Sequence, residues 1–555
     1  MMPTPAALVI LLVLCSCSGG NEVVRETRHG RVRGKKVETL GTTVEEYKGI
    51  PYAEAPVGDL RFKAPVPRSP WEGTIDADLE GIACPQINVF RPLKLELTYT
   101  EDCLFLNVWT PENAQGRNVL VWIHGGGFVY ESAFMPYYSG LALAAKTGFV
   151  VVSMNYRLGI LGFLNADSPD APGNQGLLDQ NLALKWIRDN IEVFGGDPSK
   201  VTIFGESAGA MSVNCHLMSP VSKGLFRRAV MMSGTMFSVD FFDTVHESLV
   251  RGNDVAKMVG CAAEGKDLVS HPDEVLRCLR SKKADELVLT TAEVTRPKAF
   301  SFFPTIHNEF LPKVPLNAMN RGFFNNVDVL AGVTSDEGGL VLAFPEKSEL
   351  LRESLEDFDL AKVERLLLEA VSSWTKVENP TMLDHYRKKV SPIGDKGELV
   401  RSLLDYLSDR AFVCPLQFFA ERYAAKGNAV YSYVFAHRSP KDKFPSWMGT
   451  PHGYDISYFF GFPLIADAHF TAEDKSFSED IIQMLTSFAA NGTRASLELT
   501  LNFPLIFIRV FPSCQPQLFQ TPPDATLEPK KPLPRKSAER NPFRASIGAI
   551  SSRIS

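Results

Sequence analysis

The sequence predicts an α/β fold in which a central, mostly parallel sheet carries helices on both faces. Three short runs are apolar throughout: residues 119–123, 149–154 and 201–204. Such runs suit the buried middle of a parallel sheet. Between the last two, Leu178, Leu182 and Trp186 recur at helical spacing. Strand, helix and strand in this order form a βαβ unit, whose strands lie parallel in one sheet.

The pattern of strands and helices continues along the chain. Residues 329–333 and 429–435 predict later strands, and the charged segment 340–425 predicts a large helical insertion. With 555 residues the chain exceeds the usual domain size, but α/β folds with insertions run long. We therefore predict one large domain over residues 21–495.

The composition is ordinary for a globular protein, with 45% hydrophobic and 22% charged residues. The formal net charge of -6 at pH 7 favours solubility and does not favour binding to nucleic acid. No internal apolar run is long enough for a stable membrane span. We predict neither a cofactor nor a metal.

The two ends of the chain differ from the domain between them. Ala6–Leu14 is a short apolar run followed by small residues, which is typical of a signal peptide over residues 1–20 and predicts secretion. No basic residue precedes the run, so an N-terminal membrane anchor is the alternative. Secretion would make Asn491, in Asn-Gly-Thr, a glycosylation site. Residues 496–555 are basic and proline-rich, which predicts a divergent solvated tail or, alternatively, a polyanion-binding arm.

Seven of the nine cysteines lie beyond the predicted signal peptide, and a secreted protein pairs most of its cysteines. Pairing Cys84 with Cys103 and Cys261 with Cys278 would close short loops, each worth about 3 kcal/mol by chain entropy. The sequence alone leaves the connectivity open. Cys215, in a predicted buried helix, is expected to stay free.

The segment Phe204–Gly209 carries the pattern Gly-x-Ser-x-Gly between a predicted strand and a predicted helix. This arrangement holds a serine on a tight turn with its hydroxyl exposed, which makes Ser207 a candidate nucleophile. A side chain at Gly205 or Gly209 would crowd the turn. A five-residue pattern can occur by chance in a long chain. The hypothesis that Ser207 is a nucleophile therefore depends on finding partners for the serine.

A serine nucleophile needs a base, an acid that orients the base, and donors for an oxyanion. The triple glycine 125–127 follows a predicted strand, and its bare backbone could bring N–H groups to a substrate oxygen; a flexible turn is the alternative. His452 lies in a glycine-flanked loop far downstream, as the order serine, acid, histidine requires. Asp336 and Glu337 both follow a strand, and their spacing does not show which of them is the acid.

Six further segments complete the pattern: Tyr47–Glu54, Glu101–Trp109, Asn155–Gly159, Gly196–Pro198, Leu225–Arg228 and Asp336–Gly338. Together with the serine motif, they resemble the type-B carboxylesterase and cholinesterase family of α/β-hydrolases over about residues 23–490. The resemblance implies an α/β-hydrolase fold and the activity of a general carboxylesterase on small-molecule esters.

The resemblance also implies roles for individual residues. Because the family uses the glutamate of its Asp-Glu-Gly motif, the implied catalytic triad is Ser207, Glu337 and His452. The implied oxyanion donors are the backbone N–H groups of Gly126, Gly127 and Ala208. Glu206 would add negative potential beside the site, and the two short disulfides agree with the family pattern.

The sequence departs from the family in the loop closed by the first disulfide. Cholinesterases carry a tryptophan there, whose ring face attracts the choline cation, but residues 87–100 contain none. This favours uncharged esters. Three residues are candidates for the wall of an acyl pocket, with plain core as the alternative: Phe300, Phe302 and Phe303.

A second departure is the C-terminus, where the closing segments of the family are not recognisable after about Asn491. Whether Cys414 pairs with Cys514 stays open, as does the oligomeric state. Two other functions also stay open. One is an acetylcholinesterase-like enzyme, and the other is a non-catalytic, neuroligin-like adhesion protein of the same fold, although such members usually lack the serine.

Overall fold

The computed structural model describes most of the chain between residues 21 and 492. The described residues are 21–87, 96–238, 241–295, 300–342, 361–362, 364–365, 368–369, 372, 380–387, 396–492 and 505–506. The chain divides into a unit of Met1–Phe519 and a unit of Gln520–Ser555. The second unit and the predicted signal peptide lie outside the described residues, so the fold given below is that of the first unit.

The strands of this unit are, in chain order, β1 (Glu22–Thr27), β2 (Gly30–Thr39), β3 (Thr42–Pro51), β4 (Thr74–Asp76), β5 (Ile82–Ala83), β6 (Thr98–Tyr99), β7 (Phe105–Pro111), β8 (Arg117–Ile123), β9 (Val150–Met154), β10 (Asn165–Ser168), β11 (Ala171–Pro172), β12 (Gly196–Glu206), β13 (Arg228–Met232), β14 (Asp328–Thr334), β15 (Val430–Phe435) and β16 (Leu505–Ile506). Each apolar run that predicted a strand overlaps one of them: β8, β9, β12, β14 and β15.

One large sheet holds most of the strands, in the order β1, β2, β3, β7, β9, β8, β12, β13, β14, β15 and β16, with β4 beside β2. Neighbours from β9 to β15 are parallel. The flanking pairs from β1 to β9 are antiparallel, and so are β15 and β16. The sheet is therefore mixed, with a parallel centre.

The helices are α1 (Leu141–Thr147), α2 (Gly159–Phe163), α3 (Gln175–Asn190), α4 (Ala208–Met218), α5 (Val245–Met258), α6 (Pro272–Ser281), α7 (Ala284–Thr295), α8 (Pro315–Arg321), α9 (Pro380–Arg387), α10 (Lys396–Ser408), α11 (Cys414–Ala424), α12 (Ile456–Phe459), α13 (Phe462–Ile465) and α14 (Ala472–Asn491). A π-helical turn, Asp409–Val413, joins α10 to α11. The predicted helical insertion contains α9 to α11, and much of its remainder lies outside the described residues.

The sheet separates two hydrophobic clusters, because side chains alternate between its faces along each strand. In β8, Val119, Val121 and Ile123 belong to one cluster, whereas Leu120 and Trp122 belong to the other. Buried residues of α3 and α4 join the first cluster, and those of α1 and α14 join the second. Helices therefore cover both faces of the parallel centre.

Among the described residues, Cys84 pairs with Cys103 and Cys261 pairs with Cys278, whereas Cys215 is free and buried. Cys414 is also disulfide-bonded, but Cys514 lies outside the described residues, so their pairing stays a prediction. Asn491 is exposed at the end of α14. Within the described range, no helix has both the length and the apolar composition that a membrane span needs.

Candidate active site

Ser207 lies on the sharp turn between β12 and α4, at the carboxyl end of the parallel strands. Its backbone has φ 56° and ψ -123°, a conformation that a non-glycine residue adopts only where the surroundings impose it. The Ser207 N–H donates to the carbonyl of Met232 on the next strand, at 2.9 Å. A Cβ at Gly209 would lie 2.0 Å from the carbonyl oxygen of Ile123. The close packing of α4 on the end of β8 therefore requires glycine two residues after the serine, as the motif predicts.

The late loop brings His452 to the carboxyl group of Glu337. The His452 Nδ1 atom lies 2.5 Å from Oε2 of Glu337. Glu337 is fully buried, and its other oxygen accepts the backbone N–H of Thr334 at 2.8 Å. A histidine held in this way keeps one ring orientation, with Nε2 directed away from Glu337.

Asp336, the neighbour of Glu337, makes different contacts. Its side chain pairs with Arg401 and accepts the backbone N–H of Thr450 at 2.9 Å. Asp336 thus fastens the loop that carries His452 without touching the imidazole. Spacing in the sequence could not show which of the two acids lies beside His452. In the structure, Glu337 contacts the imidazole and Asp336 does not.

The other ring nitrogen of His452 faces the serine turn. Its Nε2 atom lies 3.0 Å from Oε1 of Glu206, the residue before Ser207. Over the described ranges, no hydrogen bond joins Ser207 to His452. Catalytic hydrogen bonds are often long or poorly aligned until substrate binds, so the arrangement is compatible with proton transfer between these two residues.

The charges around His452 set its protonation. Burial lowers the pKa of His452, but the carboxylates of Glu206 and Glu337 outweigh burial and hold that pKa well above its usual value. Burial in turn raises the pKa of Glu206, and its pairing with the imidazole opposes that shift. A positively charged imidazole is thus stabilised in this site.

Two further carboxyl groups lie near these residues and were not predicted from the sequence. Burial raises the pKa of Glu131 to about 8 and the pKa of Asp455 to about 8, and the charge of Glu206 contributes to both. Asp455 accepts a hydrogen bond from Tyr433 at 3.2 Å. Asp455 lies three residues after His452, which is the one signal in the sequence that could have pointed to it.

The triple glycine forms a turn beside the serine, as predicted. Gly126 and Gly127 have φ of 83° and 59°, and a Cβ at Gly126 would lie 2.1 Å from the carbonyl oxygen of Tyr130. The N–H groups of Gly126, Gly127 and Ala208 donate no hydrogen bond in the part of the chain that the structure describes. Unpaired backbone donors beside a partly exposed serine are what an oxyanion site needs.

Aromatic side chains line this region. A Cβ at Gly127 would lie 2.3 Å from the ring of Phe300, so that ring packs on the glycine turn. Phe241 contacts the rings of Phe300 and Phe303. Phe412, on the π-helical turn, lies with its ring centroid 4.4 Å from that of His452. Phe302 is fully buried, with the Arg251 guanidinium 5.6 Å from its ring centroid.

No sequence pattern pointed to two of these rings. Phe241 lies in an irregular segment, and Phe412 belongs to a helical pattern that indicates core. A π-helical turn often occurs at a functional site, but no sequence period reveals one. Among the described residues, no group of histidine, cysteine, aspartate and glutamate could hold a metal ion.

Two comparisons with known proteins identify the family. The model of the Carboxylesterase family matches residues 21–513, and the match continues past Asn491, where the resemblance was expected to end. The chain is also 36% identical over 514 residues to an acetylcholinesterase of Bungarus fasciatus, covering 88% of this chain and 82% of that protein. All the residues described in this site lie inside the range that the family model matches.

Proposed function

The chain belongs to the carboxylesterase family and is a carboxylic ester hydrolase, and we propose that it is a serine esterase. The observation that carries the proposal is the position of His452, which reaches Glu337 with one nitrogen and the serine turn with the other. In that position a histidine can move a proton to and from Ser207.

The proposed reaction has two stages. Ser207 attacks the ester carbonyl while His452 takes the hydroxyl proton, and the tetrahedral intermediate expels the alcohol, which receives that proton. Water then attacks the acyl-enzyme, with His452 again as the base, and releases the carboxylic acid and Ser207. Glu337 keeps the imidazole oriented and stabilises its positive charge.

The glycine turn supplies the remaining stabilisation. In the tetrahedral intermediate the substrate carbonyl oxygen becomes negative, and the N–H groups of Gly126, Gly127 and Ala208 donate to it. One such donor is worth about 100- to 1000-fold in kcat. The unpaired state of these N–H groups supports this role, because folding leaves them available for a ligand.

For the substrate, we propose uncharged carboxylic esters, with the acyl group against Phe300 on the glycine turn. The absence of tryptophan from residues 87–100 argues against a cation subsite of the cholinesterase kind. Residues 88–95 of that loop lie outside the described residues. The negative charges of Glu206 and Glu337 beside His452 favour an acetylcholinesterase-like enzyme as the second candidate, since negative charge attracts a cationic ester.

The test compares hydrolysis of a short aryl ester, a long acyl ester and an acetylcholine analogue. We expect the aryl ester to be the best substrate, and preference for the cationic ester would establish the second candidate. Ser207→Ala should abolish hydrolysis and covalent labelling by an organophosphate. Ser233→Ala is the matched control, because Ser233 also has a positive φ, 55°, at the end of the adjacent strand. Folded wild-type protein without any hydrolysis would favour the adhesion alternative.

We also propose that the protein is secreted and glycosylated at Asn491. The two disulfides support an oxidising compartment, and the exposure of Asn491 makes it accessible to modification. Expression of the full chain in a secreting cell should release protein that has lost residues 1–20. Asn491→Gln should remove any shift in mass that a glycosidase produces.

A further inference from the structure

Glu131 has a backbone conformation that glycine would adopt more easily. Its φ is 86°, in the left-handed region where any residue with a Cβ carries a cost. Such an outlier persists only where the surrounding structure imposes it, and it points to a role for the side chain.

The backbone of Glu131 is clamped on both sides by one side chain. The Glu131 N–H donates to Oε1 of Gln86 at 2.8 Å, and the Gln86 amide donates to the Glu131 carbonyl at 2.9 Å. Gln86 also donates to the carbonyl of Cys84 at 3.0 Å. The first disulfide loop thereby holds Glu131 in its strained conformation.

The side chain of Glu131 lies against the glycine turn. The Tyr138 hydroxyl donates to its carboxyl group, and a Cβ at Gly126 would lie only 3.0 Å from Cγ of Glu131. The carbonyl of Gly126 accepts the N–H groups of Val129 and Tyr130 at 2.9 and 3.1 Å. The glycine turn is therefore packed against, and hydrogen-bonded to, the segment that contains Glu131.

We infer that Glu131 is a positioning residue: its side chain, anchored on Tyr138, holds the Gly125–Gly127 turn in the geometry that receives an oxyanion. The inference rests on the proposed function, which gives that turn its catalytic role. Glu131 itself touches neither the serine nor the imidazole in the described contacts. Its effect on the reaction is expected through the position of the Gly126 and Gly127 N–H groups.

The working form of Glu131 is the neutral one. Burial raises its pKa to about 8, whereas hydrogen bonds from Tyr138 and the Gly125 backbone oppose that shift. The titratable groups that face it are Glu206, His452, Tyr130, Tyr137, Tyr138 and Tyr156. Burial raises the pKa of each of these tyrosines, so they stay neutral. An ionised Glu131 would place a negative charge beside the oxyanion and oppose its formation.

The first test replaces the side chain and relieves the backbone. In Glu131→Gly, kcat for a short aryl ester should fall about ten- to hundredfold, because a misplaced donor loses much of its effect. KM should stay near the wild-type value, and Tm should stay equal or rise. Leu40→Gly is the matched control, since Leu40 is exposed in a surface turn with φ 49°. It should keep the wild-type kcat.

The second test separates charge from position. Glu131→Gln is neutral at every pH and keeps an acceptor for Tyr138, so its kcat at pH 7 should stay within about threefold of wild type. Wild-type kcat should decline as the pH rises through about 8, and the variant should lack that decline. Tyr138→Phe should lower kcat in the same direction as Glu131→Gly.

The outcomes distinguish this inference from the proposed function. Wild-type kcat in Glu131→Gly overturns the inference, and so does a loss in Glu131→Gln as large as that in Glu131→Gly. A variant that loses Tm together with kcat would show a merely structural role and would also overturn it. If wild-type protein hydrolyses no ester, the proposed function itself fails.

Discussion

His452 lies between two carboxylates, and the two act on it differently. Glu337 is fully buried and holds Nδ1, so it fixes the orientation of the ring. Glu206 lies 3.0 Å from Nε2, the nitrogen that exchanges a proton with Ser207 in the proposed reaction. Glu206 therefore stabilises the charged imidazole in the resting state and competes with the serine for it.

This competition predicts a shift in the pH dependence of Glu206→Gln. The base must be neutral to accept a proton, and the charge of Glu206 helps to raise the pKa of His452. Without that charge the pKa falls, so the acidic limb of kcat/KM should move to lower pH. The measurement is a pH profile of aryl ester hydrolysis.

Glu54→Gln is a suitable control for that profile, because Glu54 pairs with Arg68 at the surface. Its acidic limb should coincide with that of wild type. An acidic limb of Glu206→Gln that stays in place or moves to higher pH would contradict the role given to Glu206.

At the scale of single residues, sequence patterns predicted candidates for the site but not their contacts. The chain order placed His452 after an acid, yet only the folded loop shows that Glu337 reaches the ring while Asp336 binds Arg401. The sequence did not predict a role for Glu131, because a positive φ does not change the spacing of hydrophobic residues along the chain. Information of that kind arises from contacts between distant segments.

Among the helices, α14 has an N-terminus fixed by an unusually complete set of donors. Thr471 and Asp474 form a capping box, in which Asp474 accepts the Thr471 N–H and hydroxyl, both at 2.7 Å. Asp474 also accepts from Ser439 and Tyr458, and it contacts His437 at 2.8 Å. The cap therefore ties α14 to the segment that follows β15.

We predict that Asp474→Asn lowers the free energy of unfolding by about 3 kcal/mol, because several charge-assisted bonds weaken at once. Burial raises the pKa of Asp474, but its donors outweigh burial and lower that pKa to about 2. A lowered pKa adds stability above the usual value of about 4, and this stability is lost as the pH falls towards 2. Denaturant unfolding at pH 7 and at pH 3 measures both effects.

The matched control is the capping box of α5, where Thr244 and Glu247 make the same reciprocal contacts. Because Glu247 is only partly buried, Glu247→Gln should cost about 1 kcal/mol or less. Equal losses in the two variants would show that the cap alone matters. The contacts of Asp474 with the segment after β15 would then contribute nothing measurable.

Elements of the parallel centre were the easiest to predict. Strand β9 is buried along its whole length and β14 from its second residue onward, and burial on both faces favours a continuous apolar run. The antiparallel strands β1 and β2 are half exposed and carry charged residues such as Arg33 and Lys35. Their pairing depends on partners across the hairpin, which the composition of one strand does not reveal.

At the scale of the whole unit, the C-terminal elements are tied to the strands that carry the site. Arg228, at the start of β13, donates to the carbonyl of Ala489 in α14 at 2.8 Å. The carbonyl of Phe435, at the end of β15, accepts the N–H of Ser335 at 2.9 Å, two residues before Glu337. Leu505 of β16 pairs with that same Phe435.

This link bears on the predicted domain boundary. The sequence predicts a domain that ends at residue 495, because the composition changes near Asn491 and proline follows Phe503. The structure nevertheless pairs β16 with the edge of the sheet, and the family model matches as far as residue 513. A strand of two residues is too short to show an alternating hydrophobic pattern, so the sequence could not reveal β16.

Two truncations test where the functional unit ends. A chain of residues 1–519 keeps β16 and the site, so it should match the full chain in kcat and Tm. A chain of residues 1–495 lacks β16 and leaves the edge of β15 unpaired. Its Tm should be at least about 2 °C lower, and its kcat should fall because Phe435 supports the strand end before Glu337. Equal Tm and kcat for the two truncations would show that β16 is dispensable and that the domain ends where the composition changes.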